Sequence, residues 1–263
     1  MRVAAAQFDV ITGDPQANRE SFVRLAGEAA SLKPPPDVIV FPEMWNTGYS
    51  LENIRDLADR DGEPTRTIAS RLCRRFGVNI IAGSIADLRD GRVFNTAYVF
   101  DRDGKEAGCY SKIHRFRPME EHKYLEAGDR SFVFDLDGIR CGLVICYDIR
   151  FPELARGMAL KDAAVMFVPA QWPHPRVHHW KVLQMARAIE NQMYVVGCNR
   201  VGESAGLEFF GSSMVSDPWG EVVAEAGQGE QIIVADVDLS LVERVRRTIP
   251  VFVDRRPDVY EKL

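Results

Sequence analysis

Three residues of reactive type stand at the ends of apolar runs, and each suggests a different piece of chemistry. The stretch Ile139-Arg140-Cys141-Gly142-Leu143-Val144-Ile145 reads as a buried strand that stops at Cys146, and helical text resumes at Pro152. Proline suits the first turn of a helix and holds the residue before it, Phe151, extended. The turn between would set the Cys146 thiol at the C-terminal edge of a strand, where open α/β sheets expose their sites. A thiol so placed can act as a nucleophile; the blander alternative is a small buried hydrophobe that ends a strand.

A second strand, Val38-Ile39-Val40-Phe41-Pro42, ends in Glu43, which is flanked by large apolar groups. Desolvation raises a carboxyl pKa and so fits it for proton transfer. A first-turn glutamate that complements a helix dipole would look the same. Lys112, in Cys109-Tyr110-Ser111-Lys112-Ile113-His114-Arg115-Phe116, sits in apolar and aromatic text, where a buried ammonium needs an anionic partner. A snorkelling surface lysine is the competing reading. His114 is near enough in sequence to offer a Cys–His pair instead, since histidine is the commoner base, and spacing alone leaves that open. The segment Glu120-Glu121-His122-Lys123-Tyr124-Leu125-Glu126-Ala127-Gly128-Asp129 reads as a charged, solvated loop.

Short β-branched runs alternating with amphipathic helical text must position these groups. In the first half the pattern predicts strands at Val3–Val10, Val38–Phe41, Asn79–Gly83 and Phe94–Phe100, with helices over Pro15–Leu32 and Thr65–Arg75. The second half repeats the order with Ile139–Ile145, a helix over Pro152–Leu160, Ala164–Val168, a helix over Val177–Asn191, Tyr194–Cys198 and Gly211–Val215. Two hairpins also correspond, one turning at Asp103-Gly104 and one at Trp219-Gly220. The class is α/β, with two pseudo-repeated halves facing each other across one core. With no Ser/Gly/Pro-rich linker between them, residues 1–263 are expected to form one domain.

Composition narrows the partners. Of the 263 residues 46% are hydrophobic and 27% charged, which is ordinary globular usage. The net charge of −5, with no long Lys/Arg run, argues against nucleic acid. No apolar run approaches the length of a membrane span and the start reads directly into a strand, so a cytoplasmic protein is expected. Five cysteines, an odd and widely spaced set, point to reduced thiols. No C-x-x-C occurs, and the adjacent His178 and His179 would diverge on a helix, so no structural metal is expected. No G-x-G-x-x-G or P-loop follows any strand.

Taken together, Phe41-Pro42-Glu43, Ser111-Lys112-Ile113-His114 and Ile145-Cys146-Tyr147-Asp148-Ile149-Arg150-Phe151-Pro152-Glu153 resemble the Glu-Lys-Cys signature of the nitrilase, or carbon–nitrogen hydrolase, superfamily. The resemblance runs from Ala6-Gln7 to the hairpin near Val223. Within the superfamily, Pro169-Ala170-Gln171-Trp172-Pro173, His179-Trp180 and Ala186-Arg187-Ala188-Ile189-Glu190-Asn191-Gln192 are similar to the ω-amidase branch. The resemblance implies a four-layer α-β-β-α sandwich, a homodimer and no cofactor. It favours Glu43 over His114 as the base, and it implies that Glu121 is a second active-site carboxylate, with the adjacent Glu120 as the other option.

The expected reaction is hydrolysis of a linear carboxamide to a carboxylic acid and ammonia through a thioester on Cys146. Glu43 would move the protons, and Lys112 with the backbone N–H of Tyr147 would hold the oxyanion. The ω-amidase resemblance implies a substrate like 2-oxoglutaramate or 2-oxosuccinamate, whose carboxylate Arg176, or secondly Arg150, would bind. Both could instead serve ion pairs at helix ends or an interface. Tyr49, Phe116 and Trp172 are candidates to shape the pocket, or simply to pack in the core. The alternatives are an N-carbamoyl amino acid amidohydrolase, a nitrilase, or a catalytically idle binding subunit.

Overall fold

The computed structural model describes residues 1–204 and 206–260. One sheet has the strand order Gln231–Asp236, Arg2–Gln7, Val38–Val40, Asn79–Ile81, Arg92–Phe100, Ile85–Arg89, Asp59–Arg60, and Glu106–Ser111 also pairs with Arg92–Phe100. A second sheet runs Val222–Glu225, Met214–Ser216, Tyr194–Cys198, Val165–Pro169, Ile139–Leu143, Phe132–Leu136. The middle pairings of both are parallel, as in Val3 opposite Val38 and Val165 opposite Cys141.

Successive strand residues point to opposite faces, and here both faces are buried. Val3, Ala5, Val38, Val40 and Ile81 join the second sheet's residues, such as Leu143 and Phe167, in the core between the sheets. Ala4, Ala6, Ile39 and Ile80 face the other way, against Phe22, Leu25, Ala69 and Leu72 of helices Pro15–Ala30 and Thr65–Phe76. The outer face of the second sheet is covered by Pro152–Ala159 and Val177–Asn191 through Ala155, Met158, Trp180 and Ala188. The layers are therefore α-β-β-α. Gly197 lets the last of these helices approach the sheet, since a Cβ there would lie 2.0 Å from Gln184 Oε1 and 2.8 Å from the Trp180 ring.

The two hairpins match in detail. Asp101 Oδ1 accepts from the N–H groups of Asp103 and Lys105 at 3.0 and 2.8 Å, and Asp217 Oδ1 accepts from those of Trp219 and Glu221 at 2.8 and 3.0 Å. Gly104 and Gly220 close the two turns with φ of +75° and +86°.

Several boundaries differ from the periodicity. The strand expected to run to Ile145 ends at Leu143, because the Ile145 N–H is taken by the Asp148 carboxylate rather than by a neighbouring strand. The stretch expected as strand Gly211–Val215 is extended only from Met214, since Ser213 bonds through its N–H to the side chain of Gln7. Strands Phe132–Leu136 and Gln231–Asp236, the hairpin Val201–Ser204 with Leu207–Phe210, and helix Leu239–Thr248 add to the expected set. No described helix is long and apolar enough to cross a membrane, and the five cysteines are free.

Candidate active site

The three reactive residues meet between the sheets. Cys146 opens a 3-10 turn, Cys146–Arg150, with a left-handed φ of +47° that a non-glycine residue adopts only when its surroundings enforce it. Glu43 follows Val38–Val40 in an irregular turn, so the helix-dipole alternative does not apply. That turn is held closely: Ser84 N–H donates to the Pro42 carbonyl, and a Cβ on Gly83 would lie 2.1 Å from the same oxygen. Lys112 continues strand Glu106–Ser111, its N–H donating to Asn95 O and its carbonyl accepting from Gly128 N–H, both at 2.8 Å.

Lys112 Nζ donates to Glu43 Oε1 at 2.8 Å and to Glu121 Oε1 at 2.7 Å, and all three side chains are essentially inaccessible to solvent. It is a buried, paired ammonium and not a snorkelling one. Glu121 starts the short helix Glu121–Tyr124, and its Oε2 accepts from Phe116 N–H at 2.9 Å. The segment is thus not a wholly solvated loop: Glu121 is the neighbour that reaches Lys112, whereas Glu120 is exposed and pairs with Lys123. Glu43 Oε1 also accepts from Asn95 Nδ2 at 2.8 Å, and Oε2 from Gln171 N–H at 2.8 Å.

These surroundings set the ionisation of the reactive groups. Burial, then the charge of Glu43, pushes the Cys146 thiol far above its usual range, although Lys112 pulls the other way. Burial opposes the charge on Lys112, but Glu121 and Glu43 outweigh it and hold its pKa well above the ordinary lysine value. At rest the site therefore holds a neutral thiol beside a charged ammonium. Two of the three ammonium hydrogens are engaged by the carboxylates, which leaves one for a ligand.

Every other residue expected at the site lines the same narrow pocket: Tyr49, Phe116, Tyr147, Arg150, Trp172 and Arg176. Tyr49 does more than pack. Its hydroxyl lies 2.9 Å from Glu43 Oε1 and 2.8 Å from Glu121 Oε1, and burial followed by the charges of Glu121 and Glu43 keeps it protonated. The Arg150 guanidinium lies 4.7 Å from the Trp172 ring centre and donates to His179 Nδ1 at 3.2 Å. That of Arg176 lies 5.4 Å from the Phe116 ring centre. Neither arginine makes an ion pair among the described residues, contrary to the helix-end alternative. Tyr147 follows Cys146 in the first turn of the 3-10 segment, where backbone N–H groups lack partners within the helix.

His114 belongs elsewhere: its Nδ1 lies 2.8 Å from Asp148 Oδ1 and its ring stacks on Phe151. Asn95, Gln171, Arg200 and Asp148 are members of the network to which the motifs gave no role. Gln171 contributes its N–H to Glu43 and its carbonyl to the Cys146 thiol at 3.9 Å, while its side-chain oxygen accepts from the fully buried Arg200 at 3.2 Å. Polar residues inside otherwise apolar runs, such as Asn95 in Phe94–Phe100, were the available signal.

Comparison with known proteins places this arrangement. The Carbon-nitrogen hydrolase family matches residues 2–247. The chain is 44% identical over 261 residues to a 2-oxoglutaramate amidase of Bacillus subtilis (strain 168), covering 98% of each chain. It is 32% identical over 275 residues to an omega-amidase of Saccharomyces cerevisiae, covering 99% of this chain and 94% of the relative. Its fold is similar to the crystal structure of a carbon-nitrogen hydrolase from Helicobacter pylori G27, with a TM-score of 0.94 at 30% identity over 99% and 97% of the two chains. An α-β-β-α sandwich with glutamate, lysine and cysteine buried between its sheets is a hydrolase architecture, and the chain belongs to the carbon–nitrogen hydrolase family. It is an enzyme that cleaves carbon–nitrogen bonds.

Proposed function

We propose that this enzyme is an ω-amidase, which hydrolyses the terminal carboxamide of a 2-oxoglutaramate- or 2-oxosuccinamate-like substrate. The observation that carries the reading is the pairing of one neutralised cation with two unneutralised ones: Lys112 held by Glu43 and Glu121 behind Cys146, and Arg150 and Arg176 lining the pocket without ionic partners among the described residues. An amide seated at Cys146 and a carboxylate at the arginines suit a monoamide of a dicarboxylic acid.

The thiol attacks the amide carbon as Glu43 takes its proton, so a carbon–sulfur bond forms and the carbonyl electrons move onto oxygen. The free hydrogen of Lys112 and the Tyr147 N–H hold that oxyanion, each donor contributing on the order of 3 kcal/mol in comparable sites. Protonated Glu43 gives its proton to nitrogen, the carbon–nitrogen bond breaks and ammonia leaves. Water, deprotonated by Glu43, then attacks the thioester. Collapse expels the sulfur, which recovers its proton, and the carboxylic acid departs. Glu121 and Tyr49 keep Lys112 and Glu43 in register throughout.

The chain acts as one catalytic domain in the cytoplasm and assembles as a homodimer. Helix Val177–Asn191 exposes Val182 and Ile189, and Ile189 abuts Gly220 in the turn of the neighbouring hairpin beside the exposed Trp219, an apolar area suited to a second copy. Sedimentation of the protein as a monomer at micromolar concentration would remove that part of the reading.

Ammonia release from 2-oxoglutaramate, 2-oxosuccinamate, glutamine, a carbamoyl amino acid and a nitrile tests the function. The two oxo-acid monoamides should be turned over with the highest kcat/KM. Preference for the carbamoyl compound, with carbon dioxide released, or for the nitrile would assign the other activities. No turnover of any would favour an idle binding subunit.

A further inference from the structure

Asp148 is completely buried, yet its only ion-pair partner among the described residues is His114. Its carboxylate instead collects four donors. Oδ2 accepts from Tyr110 Oη at 2.7 Å and Ile145 N–H at 3.1 Å, and Oδ1 accepts from His114 N–H at 2.9 Å and His114 Nδ1 at 2.8 Å. Buried polar groups of this kind must be fully satisfied to be tolerated, and satisfied networks rigidify what they join.

What this one joins is specific. Tyr110 and His114 lie two residues to either side of Lys112, and Ile145 immediately precedes Cys146. One carboxylate therefore grips the lysine segment on both flanks and the nucleophile's turn at its first residue. That turn needs holding, because Cys146 sits at φ +47°, a left-handed conformation that a non-glycine residue keeps only where its surroundings enforce it. The His114 ring is further fixed by Phe151, stacked with centroids 3.4 Å apart, just where the turn hands over to helix Pro152–Ala159.

We propose that Tyr110, His114 and Asp148 form a positioning clamp that sets the placement of the Lys112 ammonium relative to the Cys146 thiol. The Tyr110 hydroxyl and His114 Nδ1 are both turned to the buried Asp148 carboxylate, so the three act through those two residues and not on substrate. The inference rests on the reading of Cys146 and Lys112 as the reacting pair. That reading is tested separately, by the inactivity of Cys146→Ala, which leaves the clamp intact.

The test is a set of substitutions measured by steady-state kinetics, melting temperature and the pH profile of Cys146 alkylation by iodoacetamide. Asp148→Asn replaces one acceptor oxygen with a donor and must orphan at least one partner; kcat should fall about 100-fold with KM changed less than about 3-fold, the scale of a 1 Å misplacement. His114→Phe keeps the stack and loses the hydrogen bond, and kcat should fall on the order of 30-fold. His114→Asn puts an amide nitrogen close to the position of Nδ1 and should recover kcat to within about 3-fold of wild type. In His114→Phe the alkylation profile should also move to higher pH, because a displaced Lys112 lowers the thiol pKa less.

His114→Asn as impaired as His114→Phe would show that the imidazole itself is required and overturn the clamp. So would full kcat in a folded Asp148→Asn, or losses confined to KM. Should Asp148→Asn fail to fold, the two His114 variants decide, since His114 is partly exposed and its replacement leaves the Asp148 contacts to Tyr110 and Ile145 in place.

Discussion

The floor and the mouth of the pocket hold their cations in opposite ways. At the floor, behind the lining residues Cys146 and Glu121, Lys112 is shut away from water between two carboxylates, which a hydroxyl and an amide hold in turn. At the mouth, Arg150 and Arg176 rest on the rings of Trp172 and Phe116 and, among the described residues, have no carboxylate to neutralise them. A charge already balanced has little left with which to recognise an anion, but its fixed direction suits it to meet charge that develops during a reaction. A charge held over an aromatic face is oriented without being spent, and it remains available to a substrate carboxylate.

This division can be broken at either end. The largest effect belongs to the floor: Cys146→Ala and Glu43→Gln should each lower kcat by on the order of 10⁴-fold or more in ammonia-release assays, with the melting temperature little changed. Lys112→Met, which removes an oxyanion donor and leaves two carboxylates unpaired, should cost about 10²–10³-fold in kcat and some stability. At the mouth, Arg176→Leu should raise KM for 2-oxoglutaramate about 10–100-fold while that for a neutral amide changes less than about 3-fold. Equal effects on both substrates would erase the distinction between the regions. The smallest effect concerns pH: because burial and Glu43 hold the thiol protonated, alkylation of Cys146 in the free enzyme should keep rising past the ordinary thiol range of about 8.5 without a plateau. A plateau near neutrality would mean a resting thiolate.

The floor was more legible in the sequence than the frame around it. Glu43, Lys112 and Cys146 each end or interrupt an apolar run, so their burial and need for partners could be argued before any contact was known. What brings them together is pairing between distant strands, which periodicity does not encode. The alternation of strands and helices gave the class, and the matched turns at Asp101 and Asp217 bear out the repeat between halves. Strand ends depart from the periodicity where side chains capture backbone groups, as Asp148 does at Ile145. Glu121 illustrates the same limit: among the four charged residues of the seven from Glu120 to Glu126, only the fold determines which carboxylate turns inward. The roles of Asn95, Gln171 and Asp148 are relational, visible only once their partners are in place.

Amide cleavage should pass through an acyl bond to Cys146 at this floor. Acid-quenching the enzyme during turnover of 2-oxoglutaramate and mapping its peptides by mass spectrometry tests it directly. An acyl adduct is expected on the peptide carrying Cys146, and none in Cys146→Ala, which should also release no ammonia. An adduct on another residue, or sustained ammonia release by the alanine variant, would contradict it.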